Sequence, residues 1–451
     1  MTDAKQKIWI DVTDLSVWSG HFTGTQRVTY EMSLRFYEQI SDVHFFAYNE
    51  RARNFYEVDF GPINQTILAS RMPAEAGKRP SGFHRPSPKA VLRTQSLKAY
   101  HNLPFRVKQQ LTPARREQLK KAYRTFNSVS SRVKPRRQVI SSAAVPGAPA
   151  VHFQKADIVV ILGKPWDTMT FIDVLRDQKT AQPFKLVHLV YDMIPTFLPQ
   201  VFGQPLPANY TKYMFEALAL SDRVIAISKS TKQDVARFCR EELLQTPKTT
   251  VVRLGDTPNG LTVLEDKYAP SGLKPGSFIL CVGTIEVRKN HALLYAAYKE
   301  AQLRDLPMPT LVIIGSRGWY TGDVIYQFQH DPLLRHSVKI LHGLSDEQVD
   351  WLYGNCAFTV YPSVYEGWGL PVAESLAKGK VCIASHASSM PEIAGDLIEY
   401  FSPYDAPACL ALIQKYLSVD VRRAKEAEIQ AKYKITSWDK TFAQVADAVS
   451  S

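Results

Sequence analysis

Short, nearly continuous apolar runs recur along the chain and alternate with longer amphipathic stretches. In the first half the runs are Lys7–Val12, Val43–Tyr48, Ala156–Leu162, Lys185–Tyr191, Arg223–Ile227 and Thr249–Leu254. In the second they are Ser277–Val282, Thr310–Ile314, Val338–Leu341, Ala357–Val360 and Val381–Ala384. Runs of this length without polar alternation predict strands buried on both faces, as in parallel sheets. Between them, Val28, Met32 and Phe36 fall at helical spacing and predict a helix over Gln26–Tyr37, with Thr25 as its N-cap. Further helices are expected over Tyr210–Ala219, after the hydroxyl of Ser228, from Ser345 to near Tyr353, from Pro371 to Lys378, and over Trp438–Val449. Alternating strand and helix predicts an α/β fold with parallel sheets. Between Gly255 and Pro275, Pro258, Gly260, Pro270 and Gly272 interrupt any regular element. This linker divides the chain into domains over residues 1–265 and 272–430, with a C-terminal helix over 431–451.

The most informative stretch runs from Ala357 to Asp396. A buried strand is followed by Glu366-Gly367-Trp368-Gly369-Leu370-Pro371 and then by a helix containing Glu374. The N–H groups of Gly369, Leu370 and Val372 are expected to project from a helix N-terminus, which is an anion site suited to phosphate. Gly367 and Gly369 would let the backbone approach a ligand closely. Carboxylates at Glu366 and Glu374 would repel a bare phosphate, so they are expected to accept hydrogen bonds from sugar hydroxyls on either side of it. A ligand of sugar–phosphate–sugar character, a nucleotide sugar, fits this order. A capped helix with two solvated glutamates is the bland alternative, and the glycine-rich loop between the two acids argues against it.

A second candidate element follows the strand Ser277–Val282: Gly283-Thr284-Ile285-Glu286-Val287-Arg288-Lys289-Asn290. Glycine at a strand end followed by adjacent cations predicts a phosphate site, Arg288 and Lys289 supplying the charge at the opening of a helix. In the first half, Gly24 lies in a turn before a helix, and Asp192 follows the strand Lys185–Tyr191, at the end of a strand where open sheets bind ligands. Asp192 could equally cap the next turn. His188, inside that strand, is expected to be a core group.

The Glu-x7-Glu segment resembles the signature of retaining glycosyltransferases of the GT-B fold, in particular glycosyltransferase family 4, and the likeness extends over most of the chain. Thr23–Val28 is similar to that family's N-terminal glycine loop, which faces the sugar-transfer site. Tyr191-Asp192-Met193-Ile194-Pro195 is similar to its His-Asp-Leu-Ile-Pro segment, with tyrosine here in the histidine's place. Gly283–Asn290 resembles a segment of its mannosyltransferase-like members. The resemblance implies two Rossmann-like domains facing a cleft, with the last helix crossing back to the first domain. Lys289, with Arg288, would contact the donor diphosphate. Glu366 would hold the transferred sugar and Glu374 the nucleotide ribose, while Gly24, Gly283, Thr284, Glu286, Gly367, Trp368, Gly369 and Leu370 line the donor site. Strand-end residues in Gly315–Trp319 and His342–Ser345 would hold the base through backbone groups. No acidic metal cluster is evident in the sequence, so no metal or other cofactor is expected; cations and amides would stabilise the leaving group. The implied function is a retaining, metal-independent hexosyltransferase acting on a growing, lipid-linked surface glycan, with GDP-mannose the favoured donor. Rhamnose, glucose, galactose and N-acetylhexosamine donors are alternatives, as are an inactive nucleotide-sugar-binding scaffold and a sugar-nucleotide epimerase of similar fold.

Charge adds one feature. The chain of 451 residues carries 55 Lys and Arg against 43 Asp and Glu, a net +12. From Lys78 to Arg137 there are 17 basic residues and one acid, Glu117, so this segment holds +16 (17 − 1) and the remainder −4 (12 − 16). It belongs to an insertion over about 72–150, within which Leu111–Phe126 could form a basic helix. Leu92, Leu97, Tyr100, Leu103 and Phe105 interleave with the charges. An anionic membrane surface is the expected partner, ahead of a solvated arm or nucleic acid. No apolar run suits a transmembrane helix and the N-terminus lacks a signal-peptide pattern. The five cysteines, Cys239, Cys281, Cys356, Cys382 and Cys409, are dispersed without a CxxC. The expectation is a cytoplasmic protein, peripheral on the inner face of the membrane.

Overall fold

A computed structural model describes residues 6–18, 22–71, 149–256 and 266–451. The basic segment Lys78–Arg137, with its expected helix over Leu111–Phe126, lies outside the described residues, as do Pro258 and Gly260 of the linker. Two sheets organise the rest. The first contains β1 (Ile8–Asp11), β2 (Val43–Asn49), β3 (Asn54–Val58), β4 (Ala150–Val151), β5 (Ile158–Ile161), β6 (Lys185–Val190), β7 (Arg223–Ala226) and β8 (Lys248–Val251), in the order β4-β3-β2-β1-β5-β6-β7-β8. The second contains β9 (Phe278–Val282), β10 (Thr310–Ile314), β11 (Val338–Leu341), β12 (Thr359–Tyr361), β13 (Cys382–Ser385) and β14 (Glu399–Phe401), in the order β11-β10-β9-β12-β13-β14.

The second sheet is parallel throughout. The first is parallel from β2 across to β8, but β3 and β4 join it antiparallel. The sequence pattern had not indicated this edge. Asn49 makes it: its side-chain oxygen accepts from the amides of Arg51 (3.0 Å) and Ala52 (3.1 Å), and Arg53 turns the chain back at φ 51°. The β5, β7 and β13 side chains are buried along their whole length, which explains their unbroken apolar runs.

Both sheets reverse strand order at one place, between β1 and β5 in the first and between β9 and β12 in the second. Ligands in open α/β sheets bind at the carboxyl ends of strands flanking such a point. Gly24 and Asp192 follow β1 and β6 of the first sheet, while Gly283–Lys289 and Glu366–Glu374 follow β9 and β12 of the second. The two groups therefore come from the carboxyl edges of the two sheets.

The helix Trp438–Ser450 leaves the C-terminal lobe and packs on the N-terminal one. Phe442 meets Phe36 of the helix Gly24–Gln39 edge to face, with ring centroids 5.0 Å apart, and Lys185 Nζ donates to the Val449 carbonyl at 2.9 Å. All five cysteines are buried free thiols. Phe442→Ala should cost about 3 kcal/mol or more of unfolding free energy, the usual loss for truncating a buried phenylalanine. Urea denaturation gives the check, and a loss below about 1 kcal/mol would mean that other contacts hold this helix.

Candidate donor site at the second sheet's switch point

Beyond β9 the chain runs through Gly283 and Thr284. The Ile285 amide then donates to the Ser316 carbonyl at 2.8 Å, tying this loop to the one after β10. Arg288 and Lys289 do not open an α-helix as expected. They lie on a single 3-10 turn, Val287–Lys289, which Asn290 closes at φ 59° before the helix His291–Leu303 begins. Asn290 fixes the turn by donating from Nδ2 to the carbonyls of Pro362 (3.0 Å) and Pro403 (2.7 Å). The cations are thereby held against the loop that follows β12.

That loop presents Glu366. Its Oε2 pairs with Arg288 Nη1 at 2.6 Å and its Oε1 with Lys289 Nζ at 2.7 Å. Tyr361, the last residue of β12, donates from its hydroxyl to Oε1 at 3.0 Å. Arg288 also pairs with Glu286 Oε1 at 2.7 Å and donates to the Tyr365 carbonyl at 2.8 Å. All four charged groups are largely buried. Burial alone would raise the Glu366 pKa, but the neighbouring Arg288 and Lys289 charges outweigh it and hold the carboxyl down to about 2. Ser388 completes the cage: its hydroxyl accepts from the Glu366 amide (2.8 Å) and donates to the Glu366 carbonyl (2.9 Å).

The helix Leu370–Ala377 starts directly after this loop, with Gly369 at φ 129°, a conformation that side chains disfavour. One expectation for this segment changes. The Val372 amide is not free, because it donates to the Gly369 carbonyl at 3.0 Å. At Gly367 a Cβ would lie 2.1 Å from the Tyr191 carbonyl oxygen of the other lobe, so the absence of a side chain there also admits the protein's own backbone. Trp368 is buried under the Arg253 guanidinium, 5.3 Å from its ring centroid. Thr284 packs its methyl against Gly318.

The N-terminal lobe closes over the same loop. Gly24 is the first residue of the helix Gly24–Gln39; the N-cap is Thr23, not Thr25, and the Thr23 amide and hydroxyl both donate to Gln26 Oε1 at 2.9 Å. A methyl group at Gly24 would sit 3.6 Å from Leu370 Cδ1. Asp192 is buried, and desolvation raises its pKa to about 6 against the opposing charge of Arg288. It also caps the following turn by accepting from the Ile194 amide at 2.9 Å. The buried Tyr191 hydroxyl bonds the Leu162 carbonyl (2.6 Å) and Thr29 (3.1 Å), so its side chain braces the lobe. His188 is fully buried beside Tyr213.

Glu374 is where sequence reasoning missed a partner. Arg27 Nη1 reaches it from the N-terminal lobe at 2.7 Å, and the Tyr353 hydroxyl donates to its other oxygen at 2.7 Å. Arg27 lies three residues after Gly24, so the turn was visible, but nothing local pairs it with a carboxylate far along the chain. Two more contacts cross between lobes: the Tyr365 hydroxyl donates to Asp234 at 2.7 Å, and Glu392 accepts from the Lys229 (2.7 Å) and Ser230 (2.8 Å) amides. Together these elements set two cations, a helix N-terminus and two carboxylates around one loop. Such an arrangement can neutralise a phosphate while fixing hydroxyls on either side of it.

The acid range tests the cage around Glu366. The carboxyl ionises near 4.5 when unperturbed and near 2 in the fold. Its stabilising contribution is therefore complete above pH 4.5 and is lost as pH falls from there toward 2. Urea unfolding of wild type should weaken more steeply below about pH 5 than that of Glu366→Gln. Parallel pH profiles would contradict the ion-pair cage.

Residues 264–434 match the family model described as glycosyl transferases group 1. The O-antigen chain mannosyltransferase B of Escherichia coli is 33% identical over 290 residues, which cover 61% of this chain and 75% of that protein. The serotype-specific mannosyltransferase WbdA of Escherichia coli is 26% identical over 272 residues, 57% of this chain but only 32% of WbdA. Among solved structures, Anabaena Alr3699/HepE in complex with UDP and glucose superposes with a TM-score of 0.57 at 15% identity, covering 99% of each chain. The fold is therefore GT-B, two parallel-sheet α/β domains, and the chain belongs to the group 1 glycosyl transferases.

Proposed function

We propose that the chain is a retaining, metal-independent mannosyltransferase of family 4 type. In this reading it moves mannose from GDP-mannose to a hydroxyl of a growing, lipid-linked surface glycan. The observation that supports it most is the convergence of Arg288 and Lys289 on Glu366 beside the N-terminus of the helix Leu370–Ala377. The charges of Arg288 and Lys289 are balanced by Glu286 and Glu366. An incoming diphosphate would draw on both cations, and Glu366 would exchange part of its ion pairing for hydroxyls of the transferred sugar. Glu374 would take the ribose. Charge developing on the leaving diphosphate would be met by preorganised donors, a role that metal ions fill elsewhere. No side chain is assigned as a covalent nucleophile. The acceptor would attack on the face that the diphosphate vacates, with a donor phosphate oxygen taking its proton. The choice of mannose rests on the O-antigen mannosyltransferases that this chain resembles.

The basic segment Lys78–Arg137 suits a peripheral enzyme with such an acceptor. Among the described residues no helix is long and apolar enough to cross a membrane. Basic residues near an anionic bilayer each contribute about 1 kcal/mol of attraction. In this reading the segment docks the protein on the inner face of the cytoplasmic membrane, where the cleft meets its acceptor.

Two experiments test this. Incubated with a panel of nucleotide sugars, the protein should release nucleotide from GDP-mannose only when a mannose-terminated lipid-linked acceptor is added. Lys289→Ala should lower that turnover by about 100-fold or more at saturating donor. Turnover with a UDP-sugar alone would overturn the donor, and near-wild-type turnover by the variant would overturn the role of Lys289. Co-sedimentation with liposomes should require anionic lipid and weaken as salt rises from about 50 to about 500 mM. Equal pelleting with neutral liposomes would remove the membrane assignment.

A further inference from the structure

Among the described residues, Arg27 is the one cation of the N-terminal lobe bonded directly to a carboxylate of the loop after β12 or its helix. It sits one turn into the helix Gly24–Gln39, near the positive end of the helix dipole, where a basic side chain has no local advantage. Its partner explains its place. Arg27 Nη1 meets Glu374 Oε1 at 2.7 Å with only 17% and 10% of the two side chains exposed, and the buried Tyr353 hydroxyl holds Oε2 at 2.7 Å. The Glu374 carboxylate is thus clamped from both sides, one jaw from each lobe. Each carboxylate oxygen can accept more than one hydrogen bond. Both can therefore still receive the two neighbouring hydroxyls of a ribose without releasing Arg27 or Tyr353.

We propose that Arg27 is a positioning residue that sets the Glu374 carboxylate for the nucleotide, so that a side chain of the N-terminal lobe governs the affinity of a ligand held by the C-terminal one. The inference rests on the reading of Glu374 as the ribose ligand. Remove Arg27 and Glu374 becomes a buried carboxylate with one hydroxyl donor, free to rotate and close to an incoming diphosphate of like charge. The lobes themselves stay joined, because Tyr365 with Asp234 and Glu392 with the Lys229 and Ser230 amides do not involve Arg27. The same contact couples the two sides of the cleft. By linkage, anything that moves the Gly24 turn changes nucleotide affinity, and nucleotide binding in turn favours the arrangement in which that turn lies against Leu370.

The test is calorimetric binding of GDP and of UDP to the full chain, using whichever binds wild type more tightly. Arg27→Ala and Arg27→Gln should each weaken binding about 10-fold, and Arg27→Lys, which keeps the charge, should stay within about 3-fold of wild type. In a Glu374→Ala background, Arg27→Ala should cause no further loss. In the transfer assay the donor KM should rise while kcat at saturating donor changes little. If Glu374→Ala binds as tightly as wild type, the ribose reading fails, and this inference with it. If Glu374→Ala weakens binding but the Arg27 variants do not, only the inference fails. Equal losses from Arg27→Ala with and without Glu374 would overturn it too, since Arg27 would then act on the nucleotide or on the fold by another route.

Discussion

The geometry of the loop after β12 depends on the charge cluster built around Glu366. Two cations from the turn after β9 and one carboxylate from the loop after β12 are brought together because β9 and β12 are neighbours where the strand order reverses. A buried ion pair is costly unless every remaining donor and acceptor finds a partner. Here the partners come from separate elements: Tyr361 from the strand end, Glu286 and the Tyr365 carbonyl around Arg288, and Asn290 anchoring the turn to Pro362 and Pro403. Removing Glu366 would leave both cations short of a counter-charge, and Arg288 Nε is already buried without a hydrogen-bond partner among the described residues. The loop is thus held from several sides at once, the preorganisation on which electrostatic stabilisation depends.

Much of this was legible in the sequence, and the parts that were not share a physical reason. Runs such as Ile158–Ile161 and Cys382–Ser385 read as buried strands because helices cover both faces of a parallel sheet, leaving no polar alternation to confuse the pattern. The Gly-Trp-Gly-Leu-Pro turn between two glutamates and the adjacent Arg288 and Lys289 are local patterns, and the fold brings them to one place. Small local geometry was read less well. Thr23 replaces Thr25 as N-cap because Gln26 accepts from both its amide and its hydroxyl, and the cations occupy a 3-10 turn because Asn290 takes a left-handed conformation before the helix can start. Arg27 with Glu374, Tyr365 with Asp234 and Gly367 with the Tyr191 carbonyl join segments that only tertiary folding brings together, and no periodicity encodes them.

Gly367 shows how closely the two lobes are matched. Thr231 donates to the Tyr191 carbonyl at 3.1 Å and approaches the Gly367 carbonyl at 3.4 Å, so one hydroxyl bridges the end of β6 in the first sheet and the loop after β12 in the second. Thr231 lies in the first turn of the helix Lys229–Glu241, whose leading amides are received by Glu392 of the opposite lobe. A carboxylate at a helix N-terminus is favoured by the helix dipole, so each lobe completes an element of the other. The close approach needs a residue without a Cβ at position 367, which gives that glycine a structural reason apart from any ligand. It also fixes where Asp192 falls: burial raises its pKa while Arg288 opposes the shift, and its carboxylate caps the Ile194 turn. Asp192 therefore holds the chain after β6 in the course that lets Tyr191 meet Gly367. The wall facing the loop after β12 is set by backbone contact, and the tyrosine at position 191 can place its hydroxyl on Leu162 and Thr29 without altering that wall.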